Sequence, residues 1–355
     1  MGATGGTAIA AAMRATMLAA ALALAAGCAT VAVPAPAPRP VVVWPKPPEV
    51  PRIAYVNAVA RPDDWGIAEG FAAGFWKFLV GTVEIPLVNP HGVAVDAEER
   101  LYVVDNFSRK VHVYDRRGNR HFVFPEQGPD FVSPIGIAID ERRGRVYVTD
   151  SADAVVRVFD REGVEVSGGI RGGAMGRPTG IAVSAATDEL LVVDTLNSTV
   201  LRFSLGDHAL KGLTGAEGTA DGRFHSPTHL SVSRDGGLVV TDSLNHRVQV
   251  FAPDGKFLRA FGAAGDTPGH FSRPKGAAVD SDGNIYVVDA LFDNVQVFDR
   301  NGVLLIAFGG PGQGPGEFWL PSGIFIDRGD AIYVSDSYNK RVQVFQYLKN
   351  GEPPS

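Results

Sequence analysis

Residues 227–261 read PTHLSVSRDGGLVVTDSLNHRVQVFAPDGKFLRAF. Four short runs, Pro227–Ser233, Leu238–Asp242, Val248–Ala252 and Lys256–Phe261, are rich in Val, Leu and Phe. Runs this short with β-branched and aromatic side chains read as strands rather than stable helices. Asp254-Gly255, between the last two, is a hairpin signal. The stretch predicts one four-stranded antiparallel sheet.

Working outward, the same text recurs. First strands open at Pro90 (PHGVAVD), Pro134 (PIGIAID), Pro178 (PTGIAVS), Pro274 (PKGAAVD) and Pro321 (PSGIFID), with Pro227 (PTHLSVS) fourth in order. Second strands end at Asp105, Asp150, Asp194, Asp242, Asp289 and Asp336. Third strands carry an aromatic, as in VHVYD, VRVFD and VQVFD. Four strands per about 45 residues is the arithmetic of a propeller blade. The last repeat has no fourth strand of its own, because only LKNGEPPS follows Tyr347. Upstream of the first repeat stands an orphan strand candidate, RIAYVNAVA at 52–60. Placed beside the last blade it completes that sheet and removes an open edge. The expected fold is all-β: a six-bladed β-propeller over 51–347, closed by this N-terminal strand, with 348–355 as a tail. The Trp-Asp signature of WD40 propellers is missing from all six repeats, and a solenoid would not leave complementary incomplete ends.

Asp242-Ser-Leu-Asn245-His246-Arg247-Val248 and the Gly-rich lead-ins FGAAGDTPGHFSRPKG (261–276) and FGGPGQGPGEFWLPSG (308–323) resemble the NHL-repeat family. Asp194-Thr-Leu-Asn197 and Asp336-Ser-Tyr-Asn339 are variants, while the first two repeats carry Ser108 and Asp153 where Asn is usual. The resemblance covers about residues 90–347 and implies a six-bladed propeller. Together with the segment WPKPPEVPR at 44–52 it is similar to bacterial NHL-repeat lipoproteins. The repeated Asn and Pro-x-Gly positions also have an architectural reading: Asn shapes its own turn, and Gly permits close approach at a crowded axis.

The N-terminus points to export. Residues 1–27 hold one basic residue, Arg14, and no acid, and the apolar run Met17–Ala26 ends in Gly27-Cys28-Ala29. This has the form of a secretory signal and resembles a lipoprotein signal in which Cys28, the chain's single cysteine, is lipidated. Met13 is an alternative start, and an uncleaved anchor over the uncharged residues 15–33 is the rival reading. Residues 28–50, rich in proline, read as a semi-rigid tether. Residues 65–80, with Phe71, Phe75, Phe78 and Leu79, fit a short amphipathic helix inserted in the propeller. The implied location is the cell envelope, lipid-anchored to a membrane.

The net charge of −6 argues against nucleic acid as a partner. Strand direction alternates along a blade, so first-strand openings and second-to-third-strand turns share one face. The channel mouth on that face is expected to carry His91, Ile135, Thr179, Thr228, His229, Lys275 and Ser322. His229 stands where the other five repeats have Gly, and His91 and His229 belong to opposite blades. Two imidazoles there are candidates for a metal (Zn or Ca) or proton transfer, though no third ligand is evident. His91, Thr179, His229 and Lys275, with Asn197 and Asn245 in the adjacent turns, are the candidate ligand-binding residues, and no catalytic set is assigned. Gly309–Gly316 lacks the Gly-Lys-Ser of a phosphate loop, and Asp280–Asn284 lacks the distal Glu of a calcium loop. The leading expectation is a monomeric binding or scaffold module for an envelope protein or small ligand, with no resident cofactor. The alternative, suggested by lyase and lactonase relatives of the fold, is a metal-dependent enzyme acting at the mouth.

Overall fold

The computed structural model describes residues 42–68, 85–172 and 174–349. Cys28 and nearly all of the expected helical insert lie outside them. The described start of that insert is a 3₁₀ turn, Pro62–Trp65, ended by Gly66 in the left-handed region. Among the described residues no helix is long and apolar enough to cross a membrane.

The chain forms six antiparallel sheets arranged as the blades of a propeller. Blade one contains Pro90–Val95, Arg100–Asp105, Lys110–Asp115 and Arg120–Phe124 in that spatial order, and blades three to five repeat the scheme. Second strands such as Arg100–Asp105 are buried throughout. Each is covered on both faces by neighbouring blades, which is why these strands read as continuous apolar runs rather than alternating ones. Outermost strands such as Phe257–Phe261 alternate, because one face meets water.

Blade six pairs Pro321–Ile326, Ala331–Asp336 and Arg341–Tyr347 with the N-terminal strand Ile53–Val59. Ile53 lies opposite Tyr347 and Val59 opposite Val342, with a bulge after Tyr55. Six apolar clusters, one at each blade boundary, hold the ring. The cluster that joins blade six to blade one contains Val342 and Val344 beside Leu101 and Val103, with Val59 from the closing strand.

Three expected boundaries need correction. Val43–Trp44, inside the stretch read as a tether, forms a fifth strand on Ile53–Val59. Trp44 packs its ring 5.7 Å from Phe308 and 5.9 Å from Phe345, so this edge strand is held by aromatic burial despite flanking prolines. Leu348, assigned to the tail, is buried, and its N–H donates to the Arg52 carbonyl. Blade two has three full strands, with isolated bridges Val156–Ile170 and Phe159–Glu165 where a fourth would run. Gly168-Gly169 interrupts that run, and Gly169 has φ +80°.

Candidate functional site

The mouth is built by two repeated devices. The first is the Asp that ends each second strand. Asp105, Asp150, Asp194, Asp242, Asp289 and Asp336 are buried, and each accepts backbone N–H groups from the residues just before its own blade's opening Pro. In blade six Asp336 also accepts Asn339 Nδ2 at 2.9 Å, Arg341 Nε at 2.8 Å and Gln343 Nε2 at 3.0 Å. Asp242 is held the same way by Asn245, Arg247 and Gln249. A buried carboxylate is tolerated only when satisfied in this manner. The recurrent Asp is thus a clamp that fixes where each first strand begins, braced in blades four and six by the full Asp-x-x-Asn-x-Arg-x-Gln pattern.

The second device is the glycine of Pro-x-Gly. A Cβ on Gly92 would lie 2.5 Å from the Ile135 carbonyl oxygen, on Gly136 2.3 Å from that of Thr179, and on Gly323 2.0 Å from that of His91. First strands of neighbouring blades therefore touch backbone to backbone around the axis. Blade four departs from the rule: the His229 ring crosses to the next blade, where its Nδ1 accepts the Ala277 N–H at 3.3 Å.

Between these first strands lies a cavity of about 390 Å³. The structure brings His91, Thr179, His229 and Lys275 together in its lining, with Ile135, Thr228 and Ser322. Asn197 and Asn245 are not in that lining. Their amides donate to Asp194 and Asp242 and to the Ala174 and Gly218 carbonyls. Thr179 is buried, and its hydroxyl is shared with Thr195 at 2.7 Å, which continues to the Pro227 carbonyl. A second cavity of about 690 Å³ opens on the opposite face. Val93, Ile137, Ile181 and His229 line both, so His229 is the polar member of an otherwise aliphatic waist.

Burial, and then the charge of Lys275, lowers His91 to a pKa of about 4 against a weaker opposing pull from Asp105. Burial lowers His229 to about 4 as well. Both imidazoles are neutral at pH 7. Lys275 is pushed below its ordinary value by burial and then by Arg273 and Arg177.

A metal fits this site poorly. Because His229 Nδ1 accepts an N–H, its proton sits on Nε2, which leaves no free lone pair for an ion. Among the described residues no three or more His, Cys, Asp or Glu side chains are grouped to hold one.

One feature of this face is not among the expected residues. The side chain two positions after each clamp Asp is apolar and exposed: Phe107, Leu196, Leu244, Leu291 and Tyr338, ranging from 45% exposed at Leu244 to 71% at Phe107. Blade two has Ala152 there. Trp319, also exposed, packs on Tyr338 at 5.5 Å. These turns share the face of the first-strand openings, since Pro90 pairs with Asp105 and Pro321 with Asp336. Single exposed apolar residues are ordinary, but the same position in five blades makes an apolar collar around the mouth. The signal was present as Asp-x-apolar in the repeats.

Residues 219–295 and 279–351 match a family described as a 6-bladed beta-propeller. An E3 ubiquitin-protein ligase TRIM71 from Bos taurus is 47% identical over 49 residues, 14% of this chain; the chain spans only 6% of that relative's length. Among solved structures, an auxiliary nutrient binding protein from Bacteroides thetaiotaomicron matches over 75% or less of each chain (74% of this one and 70% of that one), with TM-score 0.59 and 12% identity. A streptogramin B lyase matches over 75% of this chain and 96% of its own, with TM-score 0.56 and 12% identity. At such identity the likeness is one of fold. Sheet order, closing strand and these matches agree: the chain is a six-bladed β-propeller.

Proposed function

We propose that this chain is a lipid-anchored cell-envelope protein of the NHL-repeat kind, whose propeller binds a protein or small ligand at its mouth face. The carrying observation is the pairing, on one face, of a 390 Å³ cavity with the apolar collar of Phe107, Leu196, Leu244, Leu291 and Tyr338. Cavities of this size suit small ligands, and exposed apolar surface around them suits a recognition role. The signal-like sequence ending at Cys28 supports the anchoring. A nutrient binding protein among the structural neighbours is consistent with binding on this fold.

Site-specific photo-cross-linkers at Leu196 and Leu291, with Arg300 on the opposite face as control, test the binding face in native membranes. A discrete adduct from the two leucine positions alone is expected. Adducts from all three positions, or from none, would sink the reading.

The enzyme alternative draws on one observation: His91 is neutral and lines the cavity, as a general base must be, whereas the lone pair of His229 is committed to the Ala277 N–H. Its metal-dependent form is opposed by the His229 tautomer. Stoichiometric zinc or calcium in the purified protein, lost in His229→Ala, would reverse this order.

A further inference from the structure

We propose that the mouth cavity is a site for a small amphiphilic anion, a carboxylate or phosphate group joined to an apolar body; this deepens the binding reading above by naming the ligand's chemistry. The charge distribution carries the inference. The chain has 39 acidic and 33 basic residues, yet no Asp or Glu lines this cavity, while Lys275 and Arg177 do. The nearby clamp carboxylates are occupied: Asp194, for example, receives the N–H groups of Gly176 and Arg177 and the amide of Asn197.

Unpaired cations are the second observation. Half-buried guanidinium groups beside the clamps are paired, as Arg247 is with Asp242 at 2.9 Å and Arg341 with Asp336 at 2.8 Å. The half-buried side chain of Lys275 makes no hydrogen bond or ion pair among the described residues, and neither does that of Arg177, which is exposed at the rim. Lys275 is nonetheless partly buried, beside a second cation. An ammonium withdrawn from water without a counter-ion is unfavourable, and a surface this rich in acids had every opportunity to supply one. A ligand anion would relieve both Lys275 and its repulsion by Arg177.

The geometry orders the ligand. Lys275 occupies the position after the opening Pro, at the outer level of the first strands. Val93, Ile137 and Ile181 lie deeper, at the waist shared with the second cavity. The charged group is thereby held outside and the apolar body inside. The Nε2–H of His229 and the hydroxyl of Ser322 are neutral groups that leave the positive field intact.

Calorimetric titration of the purified propeller with octanoate, octyl phosphate and octylammonium, at one fixed ionic strength, tests this. The two anions should bind and octylammonium should not, and whichever anion is tighter identifies the head group. Lys275→Met and Arg177→Met should each weaken the anions by ~10-fold or more, the scale of a lost charge-assisted hydrogen bond. Lys275→Met should also raise the melting temperature of the ligand-free protein, because it removes an unpaired cation. Equal binding of octylammonium, no binding of either anion, or anion affinities unchanged in both variants would overturn the proposal. Failure here leaves the cross-linking result at Leu196 and Leu291 untouched, so loss of the anion site and loss of the binding face are separable.

Discussion

Gly323→Ala is the sharpest test of how the ring closes. The added methyl would meet the His91 carbonyl oxygen at 2.0 Å and the Gly92 Cα at 3.5 Å. An ordinary C···O contact is roughly 3.3 Å, so the first strands of blades six and one must part by about an ångström. Neither neighbour is a side chain that can swing away. Overpacking typically costs about 1–3 kcal/mol, and a clash with backbone belongs at the upper end. At roughly 2–4 °C per kcal/mol, the slope for domains somewhat smaller than this one, melting should fall by about 6–12 °C at most. Gly310→Ala is the matched control, since nothing lies within 4 Å of its Cβ position. Differential scanning calorimetry of both variants, with urea midpoints as a second measure, decides the matter. If Gly323→Ala melts within about 2 °C of Gly310→Ala, the backbone-to-backbone account of the axis is wrong.

Three further outcomes are expected. Asp336→Ala leaves the partly buried Arg341 without its carboxylate and frees the Trp319 N–H; a loss of ~3–5 kcal/mol in urea unfolding is expected, and a loss below about 1 kcal/mol would refute the clamp. Deleting residues 42–60 uncovers the Arg341–Tyr347 edge, so gel filtration should show self-association or aggregates, whereas a monomer with unchanged melting would show that closure is dispensable. His91 and His229 titrate near 6.5 when unfolded and about 4 when folded, so the unfolded chain binds more protons between these values. Stability is therefore full above pH 6.5 and declines toward pH 4 by up to ~3 kcal/mol per histidine; urea midpoints at pH 7.5, 5.5 and 4.5 should show a shallower decline in His229→Gln.

Much of this architecture was readable from local signals. Each blade repeats Pro at its opening and Asp at its second strand, and the strands between are short enough to declare themselves. The closing strand was readable by deficit, because the last blade ended without a fourth strand and 52–60 had no other partner. The mouth residues followed from strand direction alone, and His91, Thr179, His229 and Lys275 do share one cavity. What escaped depends on tertiary partners. Val43–Trp44 sits among prolines, and its pairing with Ile53–Val59 and the ring contacts of Trp44 come from residues distant in sequence or from the closing strand. Asn245 looked equally available for a ligand or for its own turn, and its amide goes to Asp242 and Gly218. Net charge averaged over the chain concealed a mouth with Lys275 and Arg177 and no carboxylate in its lining. The collar escaped because Leu244 and Tyr338 were read as parts of a signature, with no means of telling exposed from buried.

The pairing of Ile53–Val59 with Arg341–Tyr347 also governs the order of events during synthesis. One partner leaves the ribosome before the first blade and the other after the first two strands of the sixth, so the first must wait, unsatisfied, while the intervening sheets assemble. Waiting is cheap in free energy, since each doubling of an intervening loop adds only ~0.6 kcal/mol, but it is slow, as distant contacts always are. A nascent product cut short before Arg341 can build several sheets and still never lock. Closure of the ring therefore depends on synthesis through Arg341–Tyr347, the strand that the N-terminal segment needs as its partner.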